Sequence, residues 1–169
     1  MKFLGFLLII GSSALLGMNY SAEKKARIND LQAFISMLEI LCAELNNRLY
    51  PLPELFENIS SKLEGRAASF ANLLKLNMYV LGEKNFETIW YESYFVSGAA
   101  LSDKENNEIL SLGKTLGRYD LETQLAAIEA CILSLKECEK MESFEFPKLR
   151  QLSLGVSLSA GMLLAIFLV

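Results

Sequence analysis

Histidine is absent from this chain of 169 residues. Its absence removes the usual general base and the commonest zinc ligand, and it leaves cysteine nucleophiles without an imidazole partner. Cysteine is scarce too, with Cys42, Cys131 and Cys138 each at an apolar position of a helical pattern. An odd count at non-metal spacing fits buried free thiols in a reducing compartment better than a disulfide framework. Cys131 and Cys138 lie seven apart, roughly 10 Å along a helix axis at about 1.5 Å per residue, which is too far for a bond between them. The alternation of a half-buried strand is missing over more than a few residues, and so is any repeat at solenoid periods.

Charge is missing from two long runs, Leu4 to Met18 and Leu152 to Val169. The second has eighteen residues, or roughly 27 Å of helix against a hydrocarbon core of about 30 Å. Both runs therefore read as transmembrane helices. The alternative for the first is a secretory signal with Lys2 as a thin positive region and cleavage near Ser21-Ala22, although Tyr20 would then stand where a small residue is wanted. Lys24, Lys25 and Arg27 follow the first run, and Lys148 and Arg150 precede the second. The positive-inside tendency then puts the middle of the chain in the cytoplasm and both termini outside. The expected organisation is a transmembrane helix over 3–20, a cytoplasmic helical domain over 21–147 and a second transmembrane helix over 148–169. Small residues sit four apart within the spans, as in Ser13 and Gly17, Gly155 and Ser159, Ser157 and Gly161, a spacing that lets helices approach closely enough for a homo-oligomer. From Ile28 to Pro147 there are ten lysines and arginines against nineteen aspartates and glutamates, a balance of −9. A body this acidic argues against nucleic acid as a partner, because phosphate binding needs a clustered positive surface.

What is present is helical periodicity. Ile28, Leu31, Phe34, Ile35, Leu38, Leu41, Cys42 and Leu45 recur at threes and fours, giving a first helix that can continue from the span. Tyr50-Pro51-Leu52-Pro53-Glu54 ends it, and Pro53 with Glu54 suits the first turn of a second helix, with Leu55, Phe56, Ile59 and Leu63 on one face and Gly65 closing it. A third helix is predicted over about Arg66 to Val80, bearing Phe70, Leu73, Leu74 and Leu76 and stopped by Gly82. Asn85 caps a fourth carrying Phe86, Ile89, Trp90 and Tyr94, which ends in Ser97-Gly98-Ala99-Ala100. Ser102 and Glu105 have capping-box spacing before a fifth helix with Ile109, Leu110 and Leu112. Asp120 caps the sixth, whose face is Leu121, Leu125, Ile128, Ile132, Leu135 and Cys138; Phe144, Phe146 and Pro147 mark a bend before the second span. Six short amphipathic helices can bury their apolar faces only against one another, so the fold class is all-α, an antiparallel six-helix bundle flanked by one N-terminal and one C-terminal transmembrane helix.

The least ordinary run is Leu112 to Gln124, where two glycines and a capping aspartate interrupt helix-forming sequence. Gly113-Lys114-Thr115 resembles the end of a phosphate-binding loop, but Glu108 occupies the position of that motif's first glycine and a helix replaces its strand. No nucleotide, other cofactor or metal is expected. Glu137 with Glu139, and Glu142 with Glu145, read as a solvated face rather than an acid-base or metal pair. The corner is built by Gly113, Leu116, Gly117, Asp120 and Gln124, and the first reading is that its glycines serve close packing alone; the alternative is that Lys114, Arg118 and Tyr119, exposed there, also contact a partner. No catalytic group emerges, and an interaction or assembly role is what the residues allow.

In order, a span opening on Leu-Gly, the turn Tyr50-Pro51-Leu52-Pro53-Glu54-Leu55-Phe56, Phe86 with Trp90, and a C-terminal span resemble stage III sporulation protein AB. The most specific match is Leu-Gly-x-x-Leu-Gly-x-x-Asp-x-x-x-Gln, at Leu112, Gly113, Leu116, Gly117, Asp120 and Gln124. Tyr50 departs from the pattern, which has a smaller residue there. That family is similar to the cytoplasmic domains of type II secretion F and type IV pilus platform proteins. The resemblance implies a non-enzymatic platform component of the channel complex between mother cell and forespore. Its partners would be a secretion-type ATPase, stage III sporulation protein AA, together with other membrane components of the complex and the lipid bilayer itself. The alternative is a stand-alone membrane-anchored helical protein that captures or regulates another membrane protein.

Overall fold

A computed structural model describes the backbone over 2–47 and 52–168, and side chains over 22–46, 52–144 and at Ser159. The elements are α1 Lys2–Asn47, α2 Leu52–Ser61, α3 Gly65–Asn77, a 3-10 turn Met78–Val80, α4 Phe86–Ser97, α5 Asp103–Thr115 and α6 Leu121–Leu168. The all-α class is as expected, and no strand forms among the described residues. The chain divides into two compact units, Asn29–Glu139 and the pair of end segments Met1–Ile28 with Lys140–Val169.

Within Asn29–Glu139, α2, α3, α4 and α5 each pack on the next, as short connections between amphipathic helices require. The core takes Leu31, Phe34, Met37, Leu38 and Leu41 from α1, Leu55, Phe56 and Ile59 from α2, and Phe70 and Leu74 from α3. Ile89 and Trp90 from α4, Ile109 from α5, and Ile128 and Leu135 from α6 also lie in it. Phe70 lies at its centre, with ring centroids 4.8 Å from Trp90 and 5.6 Å from Tyr94, both nearly perpendicular. Edge-to-face geometry puts the positive ring edge against a negative face and adds roughly 0.5–1.5 kcal/mol per pair to simple burial. One carboxylate is nearly buried with it. Asp30 Oδ2 accepts from Arg66 Nη1 at 2.7 Å and from the Ala100 backbone N–H at 2.9 Å. It therefore fastens α1 to α3 and to the α4–α5 loop with its charge compensated.

Local signals place the ends of the helices. Asn85 accepts from the Thr88 N–H at 2.8 Å as the cap of α4. The capping box of α5 forms between Ser102 and Glu105, with the Ser102 N–H donating to Glu105 Oε2 at 2.7 Å. Three expectations need correction. The second helix stops at Ser61, and Gly65 opens α3 rather than closing α2. Leu76 and Leu121, assigned to inward faces, are 61% and 39% exposed, whereas Ala67, Ala71 and Met78 are buried. An apolar period reports which face is hydrophobic but cannot tell which edge of that face a neighbouring helix covers. Finally, α6 continues through the bend expected at Phe144 to Pro147. A proline deletes one backbone donor, while the bonds on either side still carry the helix.

In the unit of end segments, Lys24 Nζ and Arg27 Nη1 both reach Glu142, each at 3.0 Å. Glu142 thus joins two elements, where the sequence suggested only a solvated charge. Glu139, in the other unit, accepts from Gln32 Nε2 at 2.8 Å. Among the described residues no helix is long and apolar enough to cross a membrane. The runs expected to do so fall in the helical ends of α1 and α6, where side chains are outside the described residues. The same holds for their small-residue pairs, Ser159 apart. The turn at Tyr50-Pro51 also lies outside the described residues.

Candidate functional site

The run Leu112 to Gln124 forms the corner between α5 and α6, and each residue of its spaced pattern has a structural task. Leu112 and Leu116 are 2% and 4% exposed and anchor the corner in the core. Gly113 is helical and lies under Trp90. A β-carbon there would stand 2.7 Å from Trp90 Cδ1 and 2.8 Å from Cγ, and the indole is fixed because its Nε1 donates to the Ile109 carbonyl at 2.9 Å. The Leu116 N–H closes the last turn of α5 on the Leu112 carbonyl at 2.9 Å. Gly117 then takes φ +73°, a conformation in which a β-carbon crowds the backbone.

Two side chains hold the turn from the α6 side. Asp120 Oδ1 accepts from the Thr123 N–H at 3.0 Å, and its Oδ2 accepts from the Thr123 hydroxyl at 2.8 Å. These bonds to the charged form, the backbone one first, hold the Asp120 carboxyl below its ordinary value of 3.8. Gln124 reaches back across the turn, where its Oε1 accepts from the Gly117 N–H at 3.1 Å and its Nε2 donates to the Tyr119 carbonyl at 2.7 Å. A glutamine four residues after the cap thus satisfies one donor and one acceptor that the turn would otherwise leave to water.

The remaining residues point outward. Lys114, Arg118 and Tyr119 are exposed. Lys114 and Arg118 line a cleft of about 210 Å³ together with Gly113, Leu116 and Gly117. Its opposite wall is Asn85, Phe86 and Glu87, the cap and first turn of α4. Sequence reasoning did not connect these three to the corner. The Gly113–Trp90 packing brings α4 against α5, and no spacing in the chain encodes that contact.

Burial raises three titratable groups of the domain. Burial, with the Glu108 charge adding to it, raises the Cys131 thiol to about 12. Burial and Glu129 raise Cys42 as well, so neither is primed as a thiolate near neutral pH. The Tyr94 phenol is pushed up by burial and by the Asp30 and Glu105 carboxylates. Among the described residues no group of three or more Cys, Asp or Glu could hold a metal ion.

Comparison with known proteins gives a consistent result. A family model described as stage III sporulation protein AB matches residues 2–169. A solved structure titled stage III sporulation protein AB superposes with a TM-score of 0.65 at 20% identity, covering 71% of this chain and 95% of that one. At that identity the likeness concerns the fold. No curated protein matches the chain.

Proposed function

The chain belongs to the stage III sporulation protein AB family, and from that premise we propose that it is a non-enzymatic platform component of a sporulation channel complex. Family membership carries a role in sporulation. The finer reading is a helical domain in the mother-cell cytoplasm, held by spans at Leu4–Met18 and Leu152–Val169, that couples a secretion-type ATPase to membrane components of the channel. The basic collars at Lys24, Lys25, Arg27 and at Lys148, Arg150 favour this orientation.

The observation that carries the reading is the division of labour at the corner. Leu112, Gly113, Leu116, Gly117, Asp120 and Gln124 are occupied in building the turn. Lys114, Arg118 and Tyr119 remain on the surface, their side chains making no hydrogen bond or ion pair among the described residues, in position to meet a partner. The test is a photo-crosslinking residue at Tyr119 in membranes of sporulating cells. An adduct with the ATPase or another channel component is expected. If neither that position nor other exposed positions of the domain give an adduct with any component, the platform reading fails.

A further inference from the structure

The cleft at the α5–α6 corner has a charge character opposite to that of the domain around it. Between Asn29 and Glu139, the described cations Lys62, Arg66, Lys75, Lys84 and Lys136 all stand in ion pairs. Lys104, Lys114 and Arg118 have no such pair among the described residues, and of these three Lys114 and Arg118 line the same cleft. On a chain whose balance from Ile28 to Pro147 is −9, two such cations at one cleft are a local exception. The cleft's other wall adds partial positive charge, because the first-turn N–H groups of α4 at Phe86 and Glu87 have no intrahelical acceptor. Glu87 also lines the cleft and pairs with neither cation. Phe86 and Leu116 add apolar surface to the lining.

We propose that this cleft receives an acidic segment of a partner protein, with a carboxylate set between Lys114 and Arg118 and an adjoining apolar side chain against Phe86 and Leu116. The proposal rests on the reading of the corner as a partner contact and specifies the chemistry of that partner. Three observations favour a peptide carboxylate over other anions. A volume of about 210 Å³ is below the roughly 300–1,000 Å³ of small-molecule sites and too small to enclose a nucleotide. The acidic surroundings repel an extended polyanion or an anionic lipid surface, whose binding needs a continuous basic face. Apolar lining beside cations suits a side chain next to a carboxylate, and a guanidinium can hold that carboxylate through two parallel bonds.

Zero-length coupling by a carbodiimide tests this directly, since it joins an amine only to a carboxylate in contact with it. The full-length protein is treated in membranes of sporulating cells, and the products at Lys114 are mapped by mass spectrometry. The expected product joins Lys114 to an aspartate or glutamate of another protein. Arg118→Gln should lower its yield about tenfold. Lys114→Arg should abolish the coupling yet preserve co-purification of the partner, whereas Lys114→Gln should lose both. Lys104→Gln, which removes a cation outside the cleft, should change neither. A photo-adduct at Tyr119 without any intermolecular product at Lys114 would refute the acidic occupant and leave the partner contact standing. Coupling of Lys114 only to Glu87 of the same chain would likewise show that no partner carboxylate enters. Ultraviolet crosslinking of the corner to RNA, lost in Arg118→Gln, would assign the cleft to a polyanion and overturn the proposal. Absence of every adduct at the corner would remove the partner contact itself.

Discussion

Gly113 shows how one missing methyl group decides a helix contact. The fully buried Trp90 ring occupies the space a β-carbon would need, and its bond to the Ile109 carbonyl keeps it from moving aside. Gly113→Ala should therefore destabilise the domain by about 1–3 kcal/mol, the usual cost of overpacking, despite alanine's better helix propensity. Urea unfolding followed by tryptophan fluorescence measures it, and a stability equal to or above wild type would mean that the packing yields freely. Asp120 offers a pH test. Its carboxyl is held below 3.8, so the folded form binds the proton less readily than the unfolded one. The stabilisation is complete above 3.8 and is lost as pH falls through the depressed folded value. Asp120→Asn keeps a capping oxygen for the Thr123 N–H but removes the charge and the second acceptor that takes the Thr123 hydroxyl. Its melting temperature should lie below wild type at neutral pH, and the gap should close in acid. Cys131, neutral up to about 12 and buried, should resist iodoacetamide at pH 8 until the protein unfolds. The less buried Cys42 should be alkylated first, as peptide mapping over time would reveal.

At the scale of elements, the helix ends are set by side chains that recover backbone bonds, and the α5–α6 corner depends on Gln124. Its amide accepts at Gly117 and donates at Tyr119. Gln124→Ala loses both bonds and should cost about 1–2 kcal/mol, at roughly 0.5–1.5 kcal/mol per bond. Gln124→Glu retains an acceptor for Gly117 but no donor for Tyr119, so its stability should fall between alanine and wild type. Equal stability of the two variants in chemical denaturation would show that only one of the bonds contributes. The Asp30 carboxylate plays a comparable part between α1, α3 and the Ala100 backbone, a link across 70 residues of sequence.

For the whole molecule, the apolar ends and the acidic middle have different solvents to satisfy. Uncharged runs of this length suit a bilayer, whereas a segment with a balance of −9 suits water. A fluorescent or enzymatic reporter inserted at Ala100 should be active on the cytoplasmic side, with both termini accessible from outside. Activity of that reporter outside the cytoplasm, or a mature chain beginning after Ala22, would overturn the proposed orientation.

The all-helical class, the capping positions Asn85, Ser102 and Asp120, and the turn at Gly117 were legible in the residues, because caps and glycine turns are local and their chemistry involves neighbours within a few positions. The family's spaced pattern was legible as a motif, but its reasons were not. Sequence alone could not say that Gly113 makes room for Trp90, that Gln124 spans the turn, or that Asn85 to Glu87 face Lys114 and Arg118. Nor could it say that Leu76 and Leu121 lie outside the core while Ala67 and Ala71 lie within it. These are decided by which helix lies against which, and such contacts join residues far apart in the chain whose periodic patterns are equally satisfied by several neighbours.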